Sequence, residues 1–389
     1  MNRVLKIAKN EKVRPILDGF EAQVEDVVEL AIAIQQIPAP TFAEQERATF
    51  IESEFKELGL VNVNQDDLAN VYGRLPGTKS AQASPIIVSA HSDTVFPAET
   101  DLTVRRDGRI VHGPGIGDNS TGVAGIIALA KAIQIHQLQI PADIWFVSNV
   151  GEEGLGDLRG MRAVVERFGR HAIYLVVEGG LFGQISHQGI GVQRFLIEVE
   201  TPGGHSWGNF GRRSAIHELG RVIVALDDLP VPSAPKTTFN VGVIEGGTSI
   251  NTIAQTASLQ LDLRSEDPQI LADLVNRVSN IVAHADAQQD ITVTMKMIGN
   301  RPAGKIHRDS LLVNWARTAL KMVGRNHPHF IASSTDANVP LSLGYDAVCV
   351  GLTESSNAHR LDEYMDSTHL PNGLGQLLLL TLAAAGFKS

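Results

Sequence analysis

Acidic and imidazole side chains follow several apolar segments of this sequence, at the point where each segment ends. They are His91 and Asp93 in PIIVSAHSD, Asp118 in GPGIGDNSTG, Glu152 and Glu153 in DIWFVSNVGEEG, Glu178 in AIYLVVEGG, and His359 in GLTESSNAHR. Imidazole nitrogens and carboxylate oxygens are the ligands that zinc and similar divalent ions take from proteins. Groups of this kind, gathered at one edge of a sheet, could hold two metal ions for hydrolysis.

The spacing within these segments suggests different roles for neighbouring residues. His91 and Asp93 are two residues apart, so in extended backbone they point to the same side, where a carboxylate can fix the tautomer of an imidazole ligand. Glu152 and Glu153 are adjacent and point to opposite sides, so that one can bind a metal while the other acts as a general base towards water. Glycines before Asp118 would let the backbone approach an ion closely.

Each of these residues alone also has an ordinary structural explanation. A surface His beside an Asp, an Asp that caps a helix and two solvated Glu side chains in a loop are all common in proteins without metals. Five such positions on one predicted sheet edge are better explained by a single metal centre than by five unrelated features.

The elements of the first half of the chain alternate between strand and helix. Continuous apolar strands such as SPIIVSAH and DIWFVSNV alternate with segments of helical spacing such as STGVAGIIALAKAIQIHQL. This order predicts the α/β class, with a mixed, mainly parallel sheet and helices on both faces. Ligands bind such sheets beyond the carboxyl ends of the strands, where the acidic and His residues are expected to lie.

The pattern changes near Gly189. The next segment has the order β-α-β-β-α-β, which is typical of a small two-layer α+β unit, and the last part of the chain is expected to rejoin the first domain. We therefore predict a discontinuous catalytic, metal-binding domain formed by 1–189 and 304–389, with an inserted domain at 190–303. Two domains also suit a chain of 389 residues.

The composition excludes several classes of protein. The formal net charge is −10 and the pI is about 5.7, whereas a nucleic-acid-binding protein would carry clustered basic residues. No stretch of about 18 apolar residues occurs, so no membrane span is expected. The N-terminus is a poor signal peptide because charges interrupt its apolar residues.

The single cysteine, Cys349, lies in the apolar segment YDAVCVGL. It cannot form an internal disulfide, and we interpret it as a small buried hydrophobic residue rather than as a catalytic thiol. Scarce cysteine fits a reducing compartment, so we expect a cytoplasmic location.

One motif points to different chemistry. GHSWG, which contains Ser206, matches the G-x-S-x-G nucleophile motif of serine hydrolases. In that motif a strand ends at the Ser and a helix begins at once, whereas here a proline and two glycines come before and a loop follows. A serine hydrolase that uses Ser206 is therefore the weaker interpretation, because it also leaves the acidic residues unexplained.

The order His-x-Asp, Asp, Glu-Glu, Glu and His resembles the dinuclear zinc peptidase and deacylase superfamily, which includes carboxypeptidase G, peptidase T and acetylornithine deacetylase. The resemblance covers nearly the whole chain, including the insert. It implies two Zn²⁺ ions per chain, although three carboxylates and two His also suit Co²⁺ or Mn²⁺. The implied ligands are His91, Asp118 and Glu178 for one ion, and Asp118, Glu153 and His359 for the other.

The same resemblance implies roles for residues that do not bind metal. Glu152 would be the general base that activates a metal-bridging water, and Asp93 would orient His91. The peptide bond after Asp118 would be cis. The insert resembles the lid of the superfamily, which commonly also mediates dimerisation, so a homodimer formed through the lid domain is expected.

Three residues of the insert match positions that contact substrate in the superfamily. His205 matches the lid His that stabilises the oxyanion, either in cis or from the partner subunit. Asn251 and Arg264 match positions that hold a substrate carboxylate or carbonyl.

The sequence therefore predicts a metal-dependent hydrolase that cleaves an amide bond of a small peptide or an N-acyl amino acid. In the superfamily, Glu at the position of Glu178 accompanies carboxypeptidases and deacylases, whereas Asp accompanies aminopeptidases. A di- or tripeptide aminopeptidase of the same superfamily and a non-catalytic peptide-binding relative remain as alternatives.

Overall fold

The computed structural model describes residues 3–388 and divides the chain into two compact units. Unit 1 comprises Met1–Gly189 and Lys305–Ser389, and unit 2 comprises Ile190–Gly304. The insert predicted at 190–303 thus begins where unit 2 begins and ends one residue before it. The catalytic and lid roles of the two units stay predictions.

Eleven α-helices are found among residues 3–388, and none of them is long and apolar enough to cross a membrane. They are α1 Arg3–Ala8, α2 Arg14–Gly19, α3 Val24–Gln35, α4 Gln45–Glu57, α5 Thr121–Ile135, α6 Arg159–Phe168, α7 Ala215–Asp227, α8 Pro268–Asp286, α9 Leu311–Met322, α10 Asn338–Ser342 and α11 Leu370–Ala384.

The strands of the same part of the chain form four sheets. They are β1 Val61–Gln65, β2 Val71–Leu75, β3 Ile86–His91, β4 Arg105–Asp107, β5 Ile110–His112, β6 Ile144–Asn149, β7 Ile173–Glu178, β8 Gln184–Gly189, β9 Gly191–Glu200, β10 Gly204–His205, β11 Thr237–Gly246, β12 Thr252–Ile253, β13 Thr256–Ser265, β14 Thr292–Arg301, β15 Gly304–Lys305, β16 His329–Ser333, β17 Ala347–Gly351, β18 Glu354–Ser356 and β19 Tyr364–Asp366.

The main sheet has nine strands in the order β1-β2-β6-β3-β7-β17-β8-β15, with β16 also paired to β8. Its centre is parallel, since β3 pairs in parallel with β6 and β7, and β7 with β17. Antiparallel pairs lie towards the sides, between β1 and β2, β2 and β6, and β17 and β8. The predicted mixed, mainly parallel sheet is confirmed.

Helices cover both faces of this sheet, which explains its continuous apolar strands. In β3, Ile86 and Val88 pack into the core that includes α3, α5 and α11, whereas Ile87 packs with α6 and α10. Alternate residues of a strand point to opposite faces, so a strand buried on both faces needs an apolar residue at nearly every position. All six residues of β3 are buried.

The parallel strands bring their carboxyl ends to one edge of the sheet. His91, Asn149 and Glu178 are the last residues of β3, β6 and β7, and His91 lies opposite Asn149 in the register. The Glu152–Glu153 turn follows β6 at the same edge. This topology positions the predicted ligands.

A small sheet of four short strands, in the order β18-β19-β5-β4, connects two distant parts of unit 1. β5 pairs with β19 so that His112 lies opposite Tyr364. The segment that follows β5 leads to Asp118, and the segment that precedes β19 contains His359. The small sheet therefore brings these two segments together.

Unit 2 consists of a four-stranded antiparallel sheet, β11-β13-β9-β14, with α7 and α8 packed on it. Alternate residues Leu259, Leu261 and Leu263 of β13 are buried in this core, as are Leu219 and Val278 of the two helices. The main elements follow the order β-α-β-β-α-β, with the short pair β10–β12 beside them.

Candidate metal centre

Asp118 lies at the centre of a cluster of imidazole and carboxylate groups in unit 1. Its Oδ1 is 3.1 Å from Nε2 of His91, and its Oδ2 is 3.2 Å from Nε2 of His359. The two imidazoles therefore face the two oxygens of one carboxylate. A carboxylate in this position can be shared between two metal ions.

Two further carboxylates complete the cluster. Oε2 of Glu178 is 3.7 Å from Nε2 of His91, and Oε1 of Glu153 is 2.9 Å from Nε2 of His359. Ligand atoms of His91, Asp118 and Glu153 all lie within 4.8 Å of one another. The structure thus brings together the five residues that the sequence suggested as ligands.

Asp93 connects His91 to the turn that carries the two glutamates. Its Oδ1 is 3.5 Å from Nδ1 of His91, and its carboxylate accepts the backbone N–H groups of Glu152 at 3.0 Å and Glu153 at 2.9 Å. The hydroxyl of Thr41 donates a third hydrogen bond at 2.9 Å. Because Asp93 is fully buried, these bonds offset the cost of removing a carboxylate from water.

Glu152 and Glu153 are both buried. Glu153 has extended backbone, with φ −80° and ψ 150°, and neighbouring side chains of extended backbone point in different directions. The side chains of Glu152 and Glu153 therefore point to different places, and Glu153 is the one that contacts His359.

The turn that carries Asp118 is anchored to the strand that carries Glu178. The peptide bond between Asp118 and Asn119 is cis, as the resemblance implied. The Asn119 amide donates to the carbonyl of Val177 at 2.8 Å and accepts from the N–H of Gly179 at 2.7 Å. These two bonds span Glu178, so they hold the two carboxylate-bearing segments together.

The electrostatics of the cluster favour bound cations. Burial disfavours the charged form of His91, but the hydrogen bonds that its imidazole donates to Asp118, Asp93 and Glu178 outweigh burial and raise its pKa well above the ordinary value. Hydrogen bonds to Asp118 and Glu153 raise the pKa of His359 to about 10. Burial raises the pKa of the Glu178 carboxyl.

The donor set fits divalent metal ions. Two imidazole nitrogens and three carboxylates offer the ligands that zinc takes, and the oxygen-rich set also suits cobalt or manganese. Several carboxylates gathered in a buried site repel one another, and divalent cations would offset that repulsion. His91, Asp118, Glu153, Glu178 and His359 are the residues that could hold such ions.

Two residues that support this cluster were not indicated by any pattern in the sequence. Thr41 lies in the loop after α3 and donates to Asp93. Glu363 is buried, and its carboxylate accepts backbone N–H groups from the turn that carries Asp118. Neither residue ends an apolar strand, which was the feature that indicated the other residues.

In unit 2, His205 and Asn251 lie beside each other. β10 pairs with β12, and the N–H of Ser206 donates to the carbonyl of Asn251 at 3.0 Å. Nδ1 of His205 accepts the N–H of Trp207 at 3.2 Å, so the neutral imidazole carries its proton on Nε2 and can donate a hydrogen bond there.

Arg264 lies at the other end of unit 2's sheet. It is opposite Val192 in the register, whereas Thr256, which follows β12, is opposite Glu200. Eight residues of strand between Thr256 and Arg264 span about 27 Å. The structure therefore does not bring Arg264 together with His205 and Asn251 within one chain; instead the guanidinium contacts Asp262 at 2.6 Å.

Ser206 does not have the surroundings of a serine-hydrolase nucleophile. It follows the two-residue strand β10, and turns separate it from α7, which begins at Ala215. A nucleophile of that class needs a helix that begins directly after it. The geometry therefore argues against the serine-hydrolase alternative.

Comparison with known protein families identifies the fold and its group. The family described as "Peptidase family M20/M25/M40" matches residues 87–382, more than half of the chain. The chain belongs to this family. The superfamily resemblance predicted from the sequence is thereby confirmed, since M20 is the family of dinuclear metallopeptidases to which the order of ligands pointed.

Two curated relatives illustrate the range of the M20 family. A "Probable carboxypeptidase" of Arthroderma otae is 30% identical over 250 residues, covering 58% of this chain and 53% of that protein. The "N-formyl-4-amino-5-aminomethyl-2-methylpyrimidine deformylase" of Bacillus subtilis is 26% identical over 312 residues, covering 70% of this chain and 72% of the relative. The chain thus spans about half the length of the carboxypeptidase relative.

Solved structures of M20-type proteins share the fold. A tripeptidase from Staphylococcus aureus has a TM-score of 0.79 at 20% identity, covering 93% of this chain and 99% of that one. The YXEP protein of Bacillus subtilis, described as a dinuclear metal binding peptidase from the M20 family, has a TM-score of 0.68 at 16% identity, covering 95% and 100%. The predicted fold class is therefore confirmed.

Proposed function

We propose that this M20-family chain is a metal-dependent hydrolase that cleaves an amide bond of a small peptide or an N-acyl amino acid. The observation that carries the proposal is the position of Asp118, whose two oxygens face His91 and His359 at 3.1 and 3.2 Å. Two divalent ions, when bound, polarise the scissile carbonyl and lower the pKa of water. The names of the carboxypeptidase and deformylase relatives support amide hydrolysis.

We propose two metal ions per chain, with zinc as the default and cobalt or manganese as substitutes. The proposed ligands are His91, Asp118 and Glu178 for one ion, and Asp118, Glu153 and His359 for the other. The grouping of His91, Asp118 and Glu153 within 4.8 Å supports a site of this size. Asp93 is proposed to orient His91, because Nδ1 lies 3.2 Å from the Asp93 backbone carbonyl and 3.5 Å from its carboxylate, which leaves Nε2 to ligate an ion.

Glu152 is the proposed general base. It is buried, and the bond from its backbone N–H to Asp93 fixes its position beside the ligands. A carboxylate held there can take a proton from the attacking water and deliver it to the leaving amine. Glu153 cannot take this role as well, because it faces His359.

For unit 2 we propose the roles that the family resemblance implies. His205 would stabilise the oxyanion, which suits an imidazole whose Nε2 can donate. Asn251 and Arg264 would bind the substrate carbonyl or carboxylate. Because the strand from Thr256, which follows β12, to Arg264 spans about 27 Å, Arg264 lies too far from His205 and Asn251 for one chain to offer all three groups to one small substrate.

A homodimer through unit 2 would resolve that separation, since the partner could supply His205 and Asn251. The edge strand β11 and the helix α7 support it, because both expose apolar side chains: Ile216 43%, Val224 62% and Ile244 56%. A long edge strand with apolar side chains is a template for pairing with a second chain. Sedimentation would distinguish a dimer from the 41.9 kDa monomer. The single buried cysteine supports a cytoplasmic location.

The test of the proposed function is the Glu152→Gln variant in an assay with N-acyl amino acids, dipeptides and tripeptides. Wild type should lose activity on chelation and regain it with zinc, cobalt or manganese. Glu152→Gln should keep both ions but lose about 10²- to 10⁴-fold in kcat, because only the base is removed.

The matched control is Glu57→Gln, which changes an exposed glutamate at the end of α4 and should leave kcat unchanged. Turnover of Glu152→Gln at the wild-type rate would contradict the assignment of the base. Activity of wild type that survives complete metal removal would contradict the proposed chemistry. The substrate panel separates carboxypeptidase and deacylase activity from aminopeptidase activity.

A further inference from the structure

The carboxylate of Glu363 is fully buried against the turn that carries Asp118. Its Oε1 accepts the N–H of Gly117 at 2.8 Å and of Asp118 at 2.9 Å, and its Oε2 accepts the N–H of Gly115 at 3.0 Å. Three backbone donors thus converge on one side chain. Backbone N–H groups arranged in this way form an anion-binding concavity.

The small sheet delivers Glu363 to this position. β19 begins directly after Glu363, and its pairing with β5 places the Glu363 carbonyl where it accepts the N–H of Gly113 at 2.9 Å. Glu363 also follows His359 by four residues. The segment 359–363 therefore carries His359, a proposed metal ligand, and also Glu363, whose side chain binds the backbone of Asp118, a second proposed ligand.

The glycines before Asp118 serve this contact. Gly115 has φ +75°, a conformation that favours glycine. A Cβ on Gly117 would lie 2.7 Å from Cβ of Ser355 and 3.2 Å from Oε1 of Glu363, so a side chain there would push the turn away. The sequence suggested that these glycines let the backbone approach a metal ion; in the structure they let it approach a carboxylate.

A buried carboxylate costs free energy, which is unfavourable for a contact with a purely structural role. The Glu363 side chain is fully removed from water, and it contacts the backbone of Asp118, which carries a second carboxylate. Burying a charge beside a like charge costs free energy. The presence of a carboxylate at this position is explained if its hydrogen bonds to the turn serve the function of Asp118.

We infer that Glu363 is a positioning residue, which fixes Asp118 relative to His359 so that both can ligate the same metal ion. The two segments are far apart in sequence, since Asp118 and Glu363 are separated by 245 positions. The bonds from Glu363 connect them directly. The inference rests on the proposed metal-dependent function.

The test is the Glu363→Gln variant of the full chain, stripped of metal and titrated with Zn²⁺ against a chromophoric chelator. The amide keeps the size of the side chain but replaces one acceptor oxygen with a donor, so part of the turn is released. One of the two ions should bind about 10- to 100-fold more weakly, as is usual when a partner of a metal ligand is removed. The ion held by His91 and Glu178 should be affected less, and excess zinc should restore kcat.

The matched control is Asp267→Asn. The Asp267 carboxylate also accepts two backbone N–H groups, from Gln269 and Ile270 at the start of α8, but it lies in unit 2. Its loss should lower the melting temperature without changing zinc affinity. If Glu363→Gln does not fold, Gly117→Ala tests the same contact from the turn, and it should also weaken one ion selectively.

The outcomes separate this inference from the proposed function. Folded Glu363→Gln, or Gly117→Ala in its place, that binds both ions with wild-type affinity would overturn the positioning role, even if its melting temperature falls. Wild type that binds two ions but hydrolyses nothing would contradict the proposed function, while the zinc titrations would still decide the role of Glu363. Wild type that binds a single ion would contradict the proposed pair of ions, and the positioning role would fall as well if Glu363→Gln bound that ion with wild-type affinity.

Discussion

At the scale of single residues, the protonation states of His91 and His359 decide whether their imidazoles can bind metal. Asp118 and Glu153 raise the pKa of His359 to about 10, and Asp118, Asp93 and Glu178 raise the pKa of His91 well above its ordinary value against the effect of burial. The imidazole of His359 is therefore protonated at pH 7 when no metal is bound, and the protonated form of His91 is favoured. An imidazole must be neutral to ligate a metal, so binding has to displace these protons.

We predict that zinc binding at pH 7 releases about one proton per ion, because each ion takes one of these imidazoles as a ligand. Apparent zinc affinity should therefore rise with pH, and the share of the release that comes from His359 should disappear above its pKa of about 10. Proton release is measured with an indicator dye in a weakly buffered solution during the titration.

Variants assign the released protons to residues. His359→Ala should release fewer protons than wild type, whereas His136→Ala, which changes an exposed histidine after α5, should release the same number. Equal release from wild type and His359→Ala would contradict the protonated state of His359.

Positions at the ends of strands could be predicted from the sequence. His91 and Glu178 each end a buried strand, so their meeting at one edge follows from the parallel sheet alone. Thr41 and Glu363 act through hydrogen bonds between segments far apart in the chain. Such contacts depend on tertiary placement, which no local pattern of residue types reveals.

At the scale of secondary-structure elements, α11 packs directly against the backbone at the end of β17. A Cβ on Gly373 would lie 1.9 Å from the carbonyl oxygen of Leu352. The N–H of Leu352 in turn donates to the carbonyl of Glu178 at 3.0 Å. The packing of this helix therefore supports the strand end that carries a proposed ligand.

We predict that Gly373→Ala lowers the free energy of unfolding by about 1–3 kcal/mol, because the methyl group forces the helix away from the backbone that it contacts. Chemical denaturation measures the change. The matched control is Gly19→Ala at the end of α2, where the nearest atom to an added Cβ is 3.7 Å away. That variant should change stability by less than about 1 kcal/mol, and equal losses in both variants would contradict the packing argument.

The elements that the sequence predicted are those with a strong period or a continuous apolar run, such as β3, β6 and α5. The strand β8 was not predicted, because QISHQG mixes polar and apolar residues. It is a strand because β17 and β16 pair with it. Strand formation of this kind depends on tertiary pairing more than on local preference.

At the scale of the whole molecule, unit 2 is inserted in sequence between the two segments of unit 1. The change from continuous apolar strands to alternating ones near Gly189 is what predicted an insert, because a sheet covered on one face needs apolar residues only at every second position. The separation of Arg264 from His205 could not be predicted, since it depends on the register of β13 against β9. That register is the reason why we propose that a second chain completes the site.

The most direct test of the central claim is anomalous diffraction from crystals of the zinc-loaded chain, recorded on both sides of the zinc absorption edge. We predict two peaks per chain, about 3.5–4 Å apart, one contacting His91 and the other His359, with Asp118 bound to both. A single peak, or two peaks that do not share Asp118, would contradict the claim.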